Sequence, residues 1–577
     1  MSTPARHDED REDKLSTLSR SALLDRITDL EAQLHATQAR VSSLLLATQQ
    51  SPGSTPSPTP SKRKRPPKPF DPSTSSTRFI ALKLAYLGTH YNGFEHANNN
   101  ITPKPTVEEV LFKALCKTRL ISPHLSEGSD AGVDVVWGEE ERLGRGVSAF
   151  GQVIALRVRS SRPLANGRHR LQHVNGRLVS AEDDDTSEKE KEKERAKDCL
   201  SYVSLLNPIL PPSIRILAWL PDPPPDFSAR FSCRQRHYKY FFTNPAFSPT
   251  PGPVGMTFAP STGKASKGAP VSVREGWLDI ERMREAAKKL IGSHDFRNLC
   301  KIDPSNQMSN CVRSISHADI DEWPTAAAAS SDPGMMWTQN EHLNMRGRQP
   351  EEQQSQGGVN DAPKVYTFTV HGSAFLWHQV RCMMGVLFLV GQGLEEPSVI
   401  DELLDIDKNP RRPLYEMAED RGLVLWDCAF GDDIDKRGWV YAGDEAGLAT
   451  LTSKTDGKFG LSGVVDVVWK QWRAAKMDEV LTSSLLGLVL SQGDGTAFLR
   501  GGFRDPATAS RSQKIFDGGN GARIQGRYVR VMDKPKMATL EEQNDKYART
   551  RKARRGSAAS ESQEQTAEPA AAAARGA

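Results

Sequence analysis

The sequence predicts a mixed α+β fold, because strand-like and helix-like patterns occur in both halves of the chain. Apolar residues alternate over 80–86, and residues 153–158 are rich in β-branched side chains, as strands are. A capping box at 106–109 precedes apolar residues at helical spacing. In the second half, residues 280–291 have the spacing of a helix and residues 365–370 that of a strand. Strand and helix therefore recur on both sides of the middle of the chain.

The composition limits the classes of protein that this chain can form. Of its 577 residues, 37% are hydrophobic, which is low for one compact globule and indicates solvated segments beside folded cores. The formal net charge is only +4, so any nucleic-acid surface must be local. Seven cysteines without a C-x-x-C pair argue against a zinc ribbon and a disulfide scaffold, and suit a reducing compartment. We expect no metal site, no membrane-spanning segment and no signal peptide.

The first 78 residues differ from the rest of the chain. Within residues 1–50, a stretch at 15–46 carries apolar residues at heptad-like spacing, which predicts a short coiled coil that dimerises the protein or recruits a partner. A lone amphipathic helix is the alternative. Residues 51–78 are rich in proline and serine and predict an extended linker. The basic run at 62–65 is either a nuclear-import signal, an RNA contact or a solvated charge cluster.

Composition also places the boundaries of the folded regions. A first region at 79–245 contains a charged insertion at 164–198, which predicts a disordered loop. A second region at 276–430 contains a loose insertion at 321–362. Residues 431–577 form an extension that ends in a basic, low-complexity tail.

The chain is organised around a glycine-bearing turn that leads into a strand. Arg142-Leu-Gly-Arg-Gly146 is followed by the strand at 153–158. Glycine permits positive φ and lets another backbone approach closely. Loops held at the ends of strands are where functional groups are usually placed.

Two further segments carry candidate functional residues. Residues 236–242 place Arg236, Tyr238 and Tyr240 on one face of a predicted strand. The basic residues of this stretch, with aromatics between them, form a plausible RNA track: Arg230, Arg234, Arg236 and Lys239. Residues 374–385 read A-F-x-x-x-x-V-R-x-x-x-G and set Arg381 among apolar residues. A buried arginine requires a partner.

Together these blocks resemble the TruA-type tRNA pseudouridine synthases, above all their eukaryotic branch, which acts at tRNA positions thirty-eight and thirty-nine. The turn and strand start at 146–153 read G-V-S-A-F-G-Q-V, and R-x-Y-x-Y stands at 236–240. The segment at 374–385, an L-N-x-x-L-P-x-x-I run at 206–214 and a G-L-V-L block at 421–425 complete the resemblance. The five blocks occur in the family's order.

The resemblance implies a pseudouridine synthase fold: two subdomains, each with an antiparallel sheet and helices, around a central basic RNA cleft. It implies a tRNA substrate, no cofactor, and location in the nucleus and cytoplasm; family members often form homodimers. The reaction breaks the C1′–N1 bond of a uridine and forms a C1′–C5 bond. That chemistry requires a flipped nucleotide and a carboxylate that a cation keeps ionised and aligned.

The resemblance also implies roles for Tyr238, Arg381 and Arg142, while those of Arg236 and His378 follow from their positions in the sequence. Tyr238 would pack on the flipped base, although an ordinary sheet aromatic is the alternative. Arg381 would pair with the catalytic carboxylate. Arg142 would contact the substrate, Arg236 would lie along the RNA, and His378 would contact RNA or be a core histidine.

The sequence departs from the family at the catalytic aspartate itself, since Gly144 stands where that residue is expected. Asp130, in the stretch D-A-G-V, is a weak alternative. The family's glutamine follows its aspartate by eight residues, which fits Gln152 but not Gly138. The acidic run at 139–141 suits a solvated loop. Because the departure is confined to residues 137–145, we interpret it as a mispredicted exon boundary in preference to genuine loss.

Three functions remain open from the sequence. The first is a tRNA pseudouridine synthase, the second an RNA-binding protein of the same fold without isomerase activity. The third is a coiled-coil scaffold built on residues 15–46, which leaves residues 79–430 unexplained.

Overall fold

The computed structural model describes residues 77–95, 102–121, 144–160, 172–174, 177–179, 200–248, 276–323, 364–436, 438–443, 457–460, 463–492 and 513–552. The predicted coiled coil at 15–46 and the basic run at 62–65 lie outside these ranges, as do Arg142 and Asp130. Most of the predicted insertions lie outside them too. The described residues all belong to one compact unit.

The fold is α+β, as predicted, and is built on one large sheet. The strands are β1 (Thr77–Tyr86), β2 (Ser148–Arg159), β3 (Gln172–Val174), β4 (Arg177–Val179), β5 (Ile214–Leu220), β6 (Gln235–Asn244), β7 (Gly292–Asp295), β8 (Val312–Glu322), β9 (Lys364–Gly372), β10 (Leu423–Ala429), β11 (Val440–Tyr441), β12 (Gln513–Ile515) and β13 (Arg523–Gln525). Nine of them pair in the order β11-β5-β1-β2-β10-β6-β9-β8-β7, while β3 and β4 form one ladder and β12 and β13 another. The β3–β4 ladder lies within the insertion that was predicted to be a loop.

The junction between the halves of the large sheet is the pair β2–β10. This pair is parallel, with Ser148 opposite Val424 and Ala149 opposite Leu425. All the other pairs in the large sheet are antiparallel. The two predicted halves therefore contribute strands to a single continuous sheet.

The helices are α1 (Val107–Lys117), α2 (Tyr202–Leu206), α3 (Ile280–Lys288), α4 (Gln379–Gly391), α5 (Val399–Leu404), α6 (Asp432–Asp435) and α7 (Val464–Ser491). The predicted capping box is confirmed, because the side chain of Thr106 accepts a hydrogen bond of 3.2 Å from the backbone N–H of Glu109. None of the helices in the described ranges is both long and apolar enough to cross a lipid bilayer.

Helix α4 is the most buried helix of the second half, with all 13 of its residues buried. Its close packing depends on small residues. A Cβ on Gly385 would lie 2.6 Å from the carbonyl oxygen of Glu416, and a Cβ on Gly391 would lie 2.5 Å from the sulfur of Met283. The backbone of a neighbouring loop can therefore approach α4 directly.

The predicted face of β6 is confirmed by its alternation of burial. Tyr238, Tyr240 and Phe242 are buried, while His237, Lys239 and Phe241 are only half-buried on the opposite face. The strand thus presents Tyr238, Tyr240 and Phe242 to the core on one side of the sheet.

Candidate active site

Two loops meet at the end of the sheet where β2 and β10 both begin. Because these strands are parallel neighbours, the turn at 144–147 before β2 and the loop at 412–422 before β10 lie side by side. Gly146 has φ of +81°, and a Cβ placed on it would lie 2.5 Å from a carboxylate oxygen of Asp420. The turn therefore needs glycine at 146 both for its backbone and for the approach of Asp420.

Arg381 lies at the centre of this site. Its Nε donates to the carbonyl oxygen of Ala418 at 2.7 Å, and the N–H of Ala418 donates to the carbonyl oxygen of Arg381 at 2.9 Å. Its Nη1 lies 3.7 Å from Oδ2 of Asp420. The carboxylate facing this buried guanidinium is thus on the loop that precedes β10. Asp420 is not among the residues predicted from the sequence, although the acidic pair Glu419-Asp420 stands directly before the G-L-V-L block.

Position 144 opens towards His378. A Cβ placed on Gly144 would lie 3.4 Å from Nε2 of His378, which is ordinary contact distance, and its φ is not in the left-handed region. A side chain at this position therefore fits without backbone strain. Arg381 lies one helical turn beyond His378, so position 144 and Arg381 both lie near the start of α4.

His378 is held in an unusual conformation at the start of α4. Its φ is 57°, Trp377 stacks on its ring with centroids 4.6 Å apart, and its Nδ1 has no hydrogen-bond partner among the described residues. Burial first, and then the charges of Arg381 and Lys301, lower the pKa of His378 to about 4. The imidazole is therefore neutral near pH 7, and Nε2 can meet an uncharged or anionic group.

Tyr238 lies on the neighbouring strand and is 5% exposed. It pairs with Leu425 of β10 and Val370 of β9, and its ring meets Phe375 edge to face at 5.0 Å. Two residues along β6, the hydroxyl of Tyr240 donates to the carbonyl oxygen of Glu419 at 2.8 Å. Strand β6 is thereby tied to the loop that carries Asp420.

The predicted RNA track is divided by the fold. Arg236 is buried, and its guanidinium donates to the carbonyl oxygens of Arg230 and Ser373, both at 2.8 Å, which ties two loops together. Lys239 projects from the opposite face of the sheet from Tyr238, where its Nζ lies 4.2 Å from the ring centroid of Trp426. Arg234 is exposed and forms an ion pair with Asp433.

The structure therefore brings Gly144, His378, Arg381 and Asp420 together at one end of the sheet, with Tyr238 on the adjacent strand. Within the described ranges, no group of three potential metal ligands occurs. A buried cation, an open turn and a neighbouring aromatic strand can bind a carboxylate and a planar ring. That combination is typical of an enzyme that acts on a flipped nucleotide.

Comparisons with known proteins agree with this class. A family model described as tRNA pseudouridine synthase matches residues 286–431. Human tRNA pseudouridine(38/39) synthase is 37% identical over 375 residues, which are 64% of this chain and 59% of the human protein. The Saccharomyces cerevisiae protein of the same name is 36% identical over 370 residues, 64% of this chain and 61% of its own length. The chain thus spans about three-fifths of these relatives.

A more distant relative is matched along more of its length. A probable tRNA pseudouridine synthase of Caenorhabditis elegans is 28% identical over 486 residues, which are 82% of this chain and 90% of the nematode protein.

Proposed function

We propose that this protein is a tRNA pseudouridine synthase that isomerises uridine in the anticodon stem-loop, at the positions thirty-eight and thirty-nine that its relatives' names give. The observation that carries the proposal is the open position at residue 144. A side chain there faces Nε2 of His378, which lies three residues before Arg381 at the start of α4. In this proposal the guanidinium of Arg381 reaches an aspartate at position 144, because a carboxylate next to a buried guanidinium is kept ionised.

The reaction that such a site performs needs no cofactor. An aspartate at position 144 attacks C1′ of the flipped uridine, the C1′–N1 bond breaks, and uracil leaves with the bonding electrons. The ring turns, and C5 attacks C1′ and releases the carboxylate. The C5 proton passes to water and N1 takes up a proton, so the product is an isomer of the substrate. Tyr238 supports the ring during this turn, and Arg381 holds the carboxylate.

The residue present, Gly144, supplies no carboxylate. We propose that the authentic transcript encodes an aspartate at position 144. Asp420 does not replace it in this proposal, because its carboxylate lies against Gly146 and faces the guanidinium of Arg381.

A second function is favoured by the same glycine: a tRNA-binding protein of this fold without isomerase activity. In that case Asp420 neutralises Arg381 permanently, and the site holds a nucleotide without transforming it.

The test compares three versions of the full chain: the Gly144 protein, Gly144→Asp, and Gly144→Asn as the matched variant without charge. Each is incubated with a tRNA that carries uridine at the two positions, and pseudouridine is mapped by carbodiimide treatment and primer extension. We expect all three to bind tRNA and only Gly144→Asp to form pseudouridine. Binding without product by Gly144→Asp would support the second function. Absence of tRNA binding in all three would reject both functions. Formation of pseudouridine by the Gly144 protein would show that another residue supplies the catalytic carboxylate.

We propose further that the basic run at 62–65 directs the protein to the nucleus as well as the cytoplasm, and that residues 15–46 mediate a homodimer or a coiled-coil contact. Both proposals rest on sequence pattern. Light scattering of the full chain and of a version without residues 1–50 tests the second: equal masses would reject it. Imaging with the four basic residues changed to alanine tests the first.

A further inference from the structure

Residues 513–552, here called the C-terminal strap, lie beyond the residues that the family model matches and pack against the loop that carries Asp420. The N–H of Leu414 donates to the carbonyl oxygen of Pro535 at 2.8 Å, and the N–H of Met537 donates to that of Arg412 at 2.8 Å. Closer to the site, the N–H of Glu419 donates to the carbonyl oxygen of Asp517 at 3.1 Å. The strap therefore bonds to both ends of the 412–420 loop.

The strap also contacts α4 and its C-terminal end directly. The side chain of Gln392 accepts from the N–H of Phe516 at 2.8 Å and donates to its carbonyl oxygen at 3.0 Å. The ring of Phe516 is buried and lies 4.8 Å from that of Phe388. Two hydrogen bonds between the Gln392 side chain and the Phe516 backbone, with one aromatic contact, thus tie the strap to the helix that carries Arg381.

Gly518 is the point of closest approach between the strap and the site. Its φ is +93°, and a Cβ placed on it would lie 2.4 Å from the hydroxyl oxygen of Tyr240 and 2.9 Å from the ring of Phe388. The same hydroxyl donates to the carbonyl oxygen of Glu419. A side chain at 518 would therefore displace either the strap or the Tyr240–Glu419 bond.

More distant contacts hold the strap along its length. The buried carboxylate of Glu395 accepts from the hydroxyl of Tyr528 at 2.5 Å and from the N–H of Val531 at 2.6 Å. Glu542 forms an ion pair with Arg411. Because these anchors surround the 412–420 loop, the loop is held between the strap and α4.

We propose that the C-terminal strap is a positioning element of the active site, with Gly518 and Gln392 as its positioning residues. It holds the 412–420 loop so that Ala418 fixes the guanidinium of Arg381 and Asp420 stays against the turn at 146. This inference rests on the proposed function for its catalytic consequence, whereas its structural consequence is independent of that function. The strap acts through the loop and touches no reacting atom.

The test is Gly518→Ala in the full chain, with Gly521→Ala as the matched control, since a Cβ on Gly521 meets nothing within 4 Å. Amide hydrogen exchange is followed for peptides covering 412–420. We expect Gly518→Ala to accelerate exchange there by roughly tenfold or more and Gly521→Ala to leave it unchanged. Unchanged exchange at 412–420 in Gly518→Ala would overturn the inference.

A kinetic arm places the same pair of variants in the Gly144→Asp chain. Because the role proposed for the strap is to orient the 412–420 loop, kcat should fall by roughly 10- to 100-fold while KM changes by less than about twofold. A rise in KM at constant kcat would contradict a positioning role. If Gly144→Asp alone is inactive but exchange at 412–420 still responds, the proposed function fails and the positioning of the loop stands. Should Gly518→Ala not fold, Gln392→Leu, which removes both bonds to Phe516, takes its place.

Discussion

The guanidinium of Arg381 lies 3.7 Å from the carboxylate of Asp420, and these two residues are 39 positions apart in the chain. The guanidinium is almost buried, whereas the carboxylate is about one-third exposed. The pair is held in place by the two backbone-linked hydrogen bonds between Arg381 and Ala418. Arg381 is thus fixed by the loop before β10 through both its backbone and its side chain.

Arg381→Lys should destabilise the protein, because a lysine cannot both donate to Ala418 and face Asp420. We expect the free energy of unfolding to fall by about 1–3 kcal/mol in urea titrations. Arg421→Lys, at an exposed position of the same loop, is the control and should change it by less than about 0.5 kcal/mol. Equal effects of the two substitutions would argue against the tertiary role given to Arg381.

The two glycines of the turn should respond differently to alanine. Gly146→Ala forces a Cβ to within 2.5 Å of Asp420 at a φ of +81°, so we expect a loss of about 1–3 kcal/mol in thermal or urea unfolding. Gly144→Ala meets only His378, at 3.4 Å, and should be neutral or slightly stabilising. Strong destabilisation by Gly144→Ala would contradict the open position on which the proposed function depends.

Arg236→Ala should act on stability more than on RNA binding. The substitution leaves the carbonyl oxygens of Arg230 and Ser373 without their donor in a buried setting, which costs about 1–3 kcal/mol. Arg234→Ala, which removes an exposed ion pair with Asp433, should cost less than about 1 kcal/mol. Chemical denaturation measures the loss of stability in each variant, and filter binding measures the affinity for tRNA. A larger loss of affinity than of stability in Arg236→Ala would support the RNA contact that the sequence predicts for this residue.

Stability should fall in mild acid because of a histidine cluster on the half-buried face of the sheet. His371 stacks on His237 with ring centroids 3.8 Å apart and lies 4.9 Å from the ring of His317. Burial first, then His237, His317 and Lys239, lower the pKa of His371 to about 4. Asp427 opposes the lowering at His237, whose pKa is also below its ordinary value.

Since the unfolded chain takes up this proton near pH 6.5 and the folded protein only near pH 4, the cluster's contribution to stability is complete above pH 6.5. It is lost progressively as the pH falls from there towards 4. Urea titrations at a series of pH values should show a shallower decline for His371→Asn than for the unsubstituted protein. His90→Asn, at an exposed position, should leave the slope unchanged. If the free energy of unfolding falls with pH at the same slope in all three proteins, His371 is not the cause of the loss of stability in acid.

Periodicity and capping predicted the local elements because both are set by residues close together in the chain. The capping box at Thr106 is confirmed, and the alternation of Tyr238 and Tyr240 along β6 puts both residues on the buried face. Motif order predicted the family domain. The same alternation puts Lys239 and Tyr238 on opposite faces of β6. The predicted RNA track, which included Lys239, did not take this into account.

The sequence by itself thus determined the fold class, the similarity to the tRNA pseudouridine synthases and the strand that carries Tyr238. Only the tertiary structure decided that Asp420 faces Arg381, that β2 and β10 join the halves into one sheet, and that the C-terminal strap braces the site. The physical reason is that the periodicity of a segment depends on residues close together in the chain and reports only which way each side chain points. The group that a side chain meets there depends on how distant strands and loops pack. Gly144 is a further example, because the side chain that it faces, His378, lies 234 positions further along the chain.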